Sequence, residues 1–436
     1  MTRRARREPV TLDIESLSHE GRGVARDGGK TVFVAGALPG EQVLARITRR
    51  HGRFDEADTL EVLRAAPARI APRCAHFGVC GGCSLQHVDE SFQLAHKQAV
   101  LLELLEHQGG IAPLAVTPPI RGPQWGYRRK ARLGVKHVPK KGGVIVGFRE
   151  RASPYITDCH GCDVLDERIA RQLPSLRALI DGLSIRDRVP QLEVAAGDAA
   201  TVIVVRHLAA PSDADRAALA DFAASSGIHV YLQSGGLDTV TPLTPPAAVL
   251  EYGVGDVTLG FEPVDFTQVN AGINTQMVAR ALDCLAPGPS DRVADLFCGI
   301  GNFTLPLARR AASVIGVEGD AALVARARGN AERNGIDNCD YAVCDLADAD
   351  AVARLELGRP TQLLLDPPRA GAAAVIEGID FSTIGRIVYV SCNPVTFARD
   401  AGLLVNRHGY RLAETGILDM FPHTAHVESL SLFTRA

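Results

Sequence analysis

The sequence predicts a multidomain α/β protein: a small OB-like β-barrel first, a central α+β segment next, and a C-terminal doubly wound, Rossmann-like domain last. Three observations carry this. A chain of 436 residues that is 46% hydrophobic and 22% charged has globular composition and length for two or three domains. Short strand-like runs broken by Gly and Pro turns fill the first sixty-odd residues. From about residue 265, apolar strands alternate with helix-like segments. The divisions expected are 1–68, 69–264 and 265–436.

The formal net charge of −3 conceals an uneven distribution. Residues 1–53 carry 11 Lys/Arg against 6 Asp/Glu, and residues 121–151 carry 10 against 1, which leaves the rest of the chain at −17. Two basic stretches on an acidic body point to a polyanionic partner. No apolar stretch marks a signal peptide and no run of 18 apolar residues offers a membrane span, so a cytoplasmic protein without membrane contact is expected. In that reducing compartment the ten cysteines point to metal binding and catalysis rather than disulfides, several serving as small buried residues.

In the first division Val10, Leu12 and Ile14 alternate with polar residues. Asp27-Gly28-Gly29 then turns into Thr31–Val34, and Leu38-Pro39-Gly40-Glu41 turns into Val43–Ile47. Strands so short and evenly spaced suit a small antiparallel barrel, and its arginines suit an oligonucleotide surface. Next, Cys74, Cys80 and Cys83 stand as C-x5-C-x2-C, with Cys159 and Cys162 some eighty residues on. Three thiolates on a Gly-containing loop can converge on a metal with a fourth ligand from elsewhere, and spacing alone does not separate zinc from an iron–sulfur cluster.

An amphipathic helix is expected around Ser91–His107, free to pack on either neighbour. Trp125 and Tyr127 stand beside Arg128, Arg129, Lys130 and Arg132, followed by Lys136, Lys140 and Lys141. Such cations neutralise phosphates, and rings or guanidinium planes stack on unpaired bases. Pro242, Pro245, Pro246, Gly253 and Gly255 mark a loop-rich boundary before the last domain.

In the last division strands are expected at 292–297, 314–318, 340–344, 362–366 and 386–392, with helices at 321–334 and 395–407 among the connections. Such a sheet binds its ligands at the carboxyl ends of its strands. The run from Asp295 to Phe303, DLFCGIGNF, follows the first strand and opens a helix. Its glycines let backbone approach a ligand, and the helix start adds a favourable dipole. Thr304 stands where GxGxxG would need its third glycine. The leading acid suits an amino-acid-bearing nucleoside better than a pyrophosphate. Glu318 ends the second strand, placed for both ribose hydroxyls, and Asp345 ends the third, placed for an adenine edge.

Asp366-Pro367-Pro368-Arg369 ends the fourth strand. Its Arg stands where methyltransferases acting on exocyclic amines usually carry a stacking aromatic, which argues against amine methylation. Ser391-Cys392-Asn393-Pro394 ends the fifth and sets a thiol beside the cleft. Carbon 5 of uracil is too weak a nucleophile to take a methyl group directly. A thiolate adding at C6 makes an enolate whose C5 can attack a sulfonium methyl, and a base must then remove the C5 proton so that the thiolate leaves. Cys392 therefore needs a depressed pKa or an adjacent base. Glu428, just ahead of the final apolar strand, is the best base candidate.

Taken together, FTQVN at 266–270, the glycine loop, DPPR, SCNP and HTAHVE at 423–428 resemble the RNA uracil-C5-methyltransferase family of class I S-adenosylmethionine-dependent enzymes, over about the last 170 residues. The resemblance implies that Gln268, Phe297, Asn302, Glu318, Asp345 and Asp366 form the pocket for S-adenosyl-L-methionine. It makes Cys392 the nucleophile and Glu428 the general base, with His423 and His426 in support. It further implies a 4Fe–4S cluster on Cys74, Cys80, Cys83 and Cys162, with Cys159 as the alternative fourth ligand.

The N-terminal barrel resembles a TRAM domain, an RNA-binding module. Barrel, cysteine cluster and methyltransferase domain in this order imply 23S rRNA as partner, one uridine flipped from its stack as target, no DNA, and a monomer. The alternatives are the same chemistry on tRNA or on another rRNA uridine, and a non-catalytic RNA-binding assembly factor.

Overall fold

The computed structural model describes residues 8–435, so Arg3, Arg4, Arg6 and Arg7 of the basic N-terminal stretch lie outside the described residues. The alternation in the first division builds a six-stranded sheet from Val10–Asp13, Ser16–Leu17, Gly23–Asp27, Lys30–Ala35, Gln42–Arg50 and Phe54–Arg64. In space the order is first, fifth, sixth, fourth, third, second. The inward positions, among them Leu12, Ile14, Val32, Val34, Val43 and Ile47, make a core of their own, as a period of two demands. One pairing departs from the antiparallel expectation: Lys30–Ala35 runs parallel to Phe54–Arg64, because the intervening Gln42–Arg50 strand carries the chain back before the last strand begins.

The central sheet takes the spatial order Val240–Pro242, His229–Gln233, Thr201–Arg206, Gln191–Ala196, Lys130–Val138, Gly143–Gly147. Helices Leu173–Gly182 and Asp213–Ser226 bury Leu176, Ile180, Leu219 and Phe222 against Leu133, Leu192 and Ile203. Ala195, Val202, Val204 and Tyr231 pack instead with the Glu251–Val254/Val257–Gly260 hairpin and helix Ala271–Leu285 of the next layer. Strands covered on both faces carry nearly continuous apolar runs, which is why Thr201–Arg206 does not alternate.

The C-terminal sheet has eight strands, in the order Cys339–Val343, Ser313–Glu318, Arg292–Leu296, Gln362–Leu365, Arg386–Ser391, Glu428–Arg435, Tyr410–Leu418, Ala115–Val116. The first five are parallel, and Glu428–Arg435 is antiparallel to both its neighbours. Parallel order forces every connection across a helix, so all five carboxyl ends open on one edge. The fourth and fifth strands stop just short of Asp366 and Cys392. The third, Arg292–Leu296, stops just short of Phe297, where the backbone turns to φ 66°.

Helix Glu90–Leu104 packs on the C-terminal sheet. Leu94, Val100, Leu101 and Leu105 join Phe397, Leu404 and Tyr389 in one core, and Ala115–Val116 adds an edge strand beside Glu414 and Thr415. Its Asp89 cap accepts the Phe92 N–H at 3.0 Å, and it ends in a wide turn, Leu105–Gly109. That turn sits against helix Pro394–Asn406 through two facing glycines: a Cβ on Gly402 would lie 2.8 Å from the Gly109 carbonyl oxygen.

A small separate core joins the divisions. Leu38 of the barrel, Ala66 of its linker, and Leu85 and Val88 after the cysteine loop pack with Phe92 and Ala425. Beneath it Glu41, fully buried, accepts from the backbone N–H groups of Leu38 and Ala66 and from the Arg69 guanidinium.

Candidate functional site

Strand Arg292–Leu296 delivers the glycine loop. Phe297 and Cys298 donate their N–H groups to the Val317 carbonyl, which ties the loop to the next strand. Phe297 holds φ 66° without being glycine, a conformation retained only where the surroundings impose it. Space around Gly299 is open: a Cβ there would meet nothing within 4 Å. Glu318 Oε2 accepts the Gly299 N–H at 3.1 Å, and its Oε1 accepts the Gly319 N–H at 2.7 Å, so its carboxylate spans both turns.

Asp295 is fully buried, with Oδ2 accepting the Thr304 hydroxyl at 2.5 Å and Oδ1 left without a partner. Burial, then the charges of Asp366 and Glu318, push its carboxyl up to about 7; burial pushes Asp366 up to about 7 as well.

The other expected pocket residues are less uniform. Asp345 is exposed, its Oδ1 accepting the Ala347 N–H at 3.0 Å. Gln268 is half-buried between Phe266 and Val269, both of which line a large cavity. Asn302 is engaged elsewhere: its amide exchanges two 2.9 Å hydrogen bonds with Asn274, and its oxygen also accepts from the Tyr252 hydroxyl. That leaves its side chain braced between helix Ala271–Leu285 and the 251–260 hairpin rather than free.

Cys392 follows strand Arg386–Ser391, and Asn393 caps the next helix by accepting the Val395 N–H at 3.1 Å. The thiol lines a cavity of about 460 Å³ with Arg369, Asn393, Thr424 and His426. His19 and Glu20 of a barrel turn complete the wall. Arg369 Nη2 lies 3.2 Å from His426 Nδ1. Burial first, then the charges of Glu428 and Asp366, push the Cys392 thiol up to about 12, with Arg369 opposing. The depressed pKa is therefore absent in the free protein, and of the two expected routes to a thiolate the adjacent carboxylates are the one present.

Glu428 is buried as the first residue of the last strand. Burial and the Asp366 charge push it well above the carboxylate range, while Arg369 and Lys97 pull it down. Burial holds His423 and His426 down to about 4, so both rings are neutral. His423 has φ 64° and stacks on Trp125 with ring centroids 3.9 Å apart.

A second cavity of about 940 Å³ shares Gly81, Gly82, Arg369, Thr424 and His426 with the first. Cys74, Cys80, Cys83 and Cys162 all line it, as do Arg128, Arg132 and Arg149. Cys159 is buried behind, its thiol hydrogen-bonded to Cys80 and favouring thiolate there. Burial pushes Cys83 up to about 12 and Cys162 up to about 11. The His76 and Gly82 N–H groups each donate to a sulfur, of Cys74 and Cys80, at 3.4 Å. Among the described residues no three His, Cys, Asp or Glu side chains form a group able to hold a metal ion.

The basic segment is less available than its composition implies. Arg129 pairs with Asp198 at 2.5 Å, Lys130 donates to the Asp265 carbonyl, and Arg132 reaches Glu193 at 3.4 Å. Tyr127 is buried, its hydroxyl donating to the Pro422 carbonyl at 3.1 Å. Arg128 lies 5.9 Å from the ring centres of both Phe148 and Phe421, on the cavity wall.

Sequence reasoning missed Lys97. Its Nζ is fully buried, 2.7 Å from Asp419 Oδ1 and 3.1 Å from the Phe421 carbonyl oxygen. The signal was there: Lys97 stands three residues after Leu94 and four before Leu101, on the apolar face of its helix.

Among the described residues no helix is long and apolar enough to cross a membrane. Residues 249–436 match the family described as tRNA (Uracil-5-)-methyltransferase, and residues 3–60 match the TRAM domain. A protein of Alkalilimnicola ehrlichii named 23S rRNA (uracil(1939)-C(5))-methyltransferase RlmD is 55% identical, over 99% of this chain and 98% of its own. One of the same name from Stenotrophomonas maltophilia is 51% identical, covering 98% of each. The crystal structure of Pyrococcus abyssi tRNA (uracil-54, C5)-methyltransferase in complex with S-adenosyl-L-homocysteine shares the fold, with a TM-score of 0.77 at 23% identity over 98% of this chain and 100% of that one. The chain belongs to the RNA uracil-C5-methyltransferase family.

Proposed function

We propose that the protein transfers a methyl group from S-adenosyl-L-methionine to C5 of a uridine in 23S rRNA, at the position its relatives' name gives as 1939, as a cytoplasmic monomer. The observation that carries the reading is Cys392 at a strand's carboxyl end, with Glu428 and Asp366 close enough to act on its charge. Asp366 also acts on Asp295 at the head of the glycine loop, which joins the thiol's surroundings to the expected cofactor pocket.

The residues fit that cofactor. A buried carboxylate oxygen without a partner, two carboxyls held near 7 and open space at Gly299 suit a cation approaching the loop. S-adenosyl-L-methionine supplies the methyl group and a positive sulfonium that offsets the carboxylates' mutual repulsion. In this reading Asp295, Asp366 and Glu318 hold the cofactor, with Phe297, Gln268 and Asp345 around it, while Asn302 acts through its backbone.

Cys392 loses its proton to Asp366, which leaves Glu428 free for the later step, and Sγ bonds to C6 as the C5–C6 double bond becomes an enolate. C5 takes the methyl carbon, and the carbon–sulfonium bond breaks toward sulfur. Glu428 removes the C5 proton, the C5–C6 double bond re-forms, and the C6–Sγ bond breaks to return the thiolate. The RNA gains CH3 and releases one proton. The cavities, which share part of their lining and carry Arg128, Arg149 and Arg369, support a backbone path leading to a flipped base.

The same proposal assigns Cys74, Cys80, Cys83 and Cys162 to a 4Fe–4S cluster. Four cysteines on one cavity wall, two of them with backbone N–H groups directed at sulfur, support it. Bound, the cluster would cross-link the 74–83 loop to the 159–165 segment. Iron and sulfide analysis of anaerobically purified protein tests it: near four of each per chain is expected, and zinc or none contradicts it.

Methyl transfer to C5 of uridine releases tritium placed there, because the C5 proton must leave. Release from 23S rRNA, absent with tRNA and absent with Cys392→Ala, is the expected result; release from tRNA alone overturns the substrate, and release by Cys392→Ala overturns the nucleophile.

A further inference from the structure

Resting on Glu428 as base, we propose that Lys97 is a positioning residue for removal of the C5 proton: its buried ammonium, with Gln93 one turn earlier, fixes the 419–423 segment from which Glu428 is reached. Lysine is among the residues least often buried, yet Lys97 has no exposed surface and stands on the apolar face of helix Glu90–Leu104.

Two hydrogen bonds from its ammonium and one accepted by Gln93 converge on one stretch of chain. Nζ bonds to Asp419 and to the Phe421 carbonyl, while Gln93 Oε1 accepts the His423 N–H at 3.0 Å. Gln93 is itself held, its Nε2 donating to the Val88 carbonyl at 2.8 Å. Residues 419, 421 and 423 are thus gripped in alternation, and five residues later Glu428 begins the last strand.

A buried ion pair contributes little stability compared with a well-packed apolar pair of similar volume. Placement is what this one accomplishes. The ammonium also acts on Glu428 itself, where the other charges are Asp366 and Arg369. The charges that act most on Cys392 are Glu428, Asp366 and Arg369 instead. Loss of Lys97 should therefore slow the elimination and spare the addition.

The two steps separate experimentally. With ordinary 23S rRNA the full cycle is read; with 5-fluorouridine RNA only addition and methyl transfer are read, because fluorine at C5 cannot leave as a proton. Full-length protein, purified anaerobically, is compared as wild type, Lys97→Met, the doubly uncharged Lys97→Met/Asp419→Leu, and Glu428→Gln.

Turnover by both Lys97 variants is expected to fall at least about tenfold, with methylated RNA–protein adduct accumulating on ordinary RNA and 5-fluorouridine adduct forming within about twofold of wild type. A parallel fall in the 5-fluorouridine adduct, or turnover of the double variant within about twofold of wild type, overturns the proposal. Glu428→Gln separates the two failures. If it accumulates adduct and the Lys97 variants do not, only the Lys97 proposal falls; if it turns over normally, the base assignment falls.

Discussion

The Ser84 hydroxyl accepts the Ala425 backbone N–H at 3.1 Å, while the N–H groups of Ser84 and Leu85 both donate to the His423 carbonyl at 2.9 Å. The residue immediately after the last cysteine of the C-x5-C-x2-C loop is thereby bonded into the segment that carries Glu428. Ser84→Ala leaves the Ala425 N–H without that partner, at a cost of about 1 kcal/mol. Amide exchange within 421–427 should accelerate about fivefold while the barrel's exchange stays unchanged. Unchanged exchange at Ala425 would show that the two loops are not coupled through this bond.

Cofactor affinity should depend on pH near neutrality. Asp295 and Asp366 stand at about 7 in the free protein, and only their ionised forms attract a cation. Affinity for S-adenosyl-L-methionine therefore rises as pH climbs through 7 and is lost below it, and binding near or below 7 releases protons to buffer. Calorimetry in buffers of different ionisation enthalpy measures that release directly. It should fade once both carboxyls are ionised beforehand, and a release independent of pH would contradict the assignment.

Glu41 should govern how firmly the barrel is seated. Burial opposes its ionisation, but Arg69 and the N–H groups of Leu38 and Ala66 hold the carboxyl below its usual range. The stabilisation is present above the ordinary glutamate pKa and disappears as pH falls through the lowered value. Glu41→Ala leaves Arg69 unpaired in a mostly buried position, and we expect a loss of about 2–4 kcal/mol. Limited proteolysis between residues 64 and 70 reads the release; cleavage no faster than in wild type would contradict it.

What was legible in the sequence is what short-range pattern controls. Cys392, Glu318 and Asp366 follow or end apolar strands, and a parallel sheet gathers such positions on one edge whatever the loops do. What was illegible depends on partners distant in sequence. Arg129 and Arg132 read as free cations until Asp198 and Glu193, more than sixty residues away, are set beside them. Asn302 fits a cofactor loop by spacing, and only the fold reveals Asn274 and Tyr252 holding its amide. The helix at 90–104 had no local cue to its neighbour, because its apolar face suits any core. The raised Cys392 pKa follows first from burial and then from two carboxylates that the chain brings in from 26 residues before and 36 after, none of which shows in the local pattern.

The central claim is that Cys392 forms the bond to the uracil ring. Protein incubated with S-adenosyl-L-methionine and a 5-fluorouridine-substituted 23S rRNA fragment, then digested and mapped by mass spectrometry, tests it without relying on turnover. The expected product is a single modified peptide carrying a methylated fluorouridine nucleotide on Cys392, absent when the cofactor is withheld. The same adduct on another cysteine, or normal methylation of uridine RNA with no adduct formed from the fluorinated one, would contradict the account.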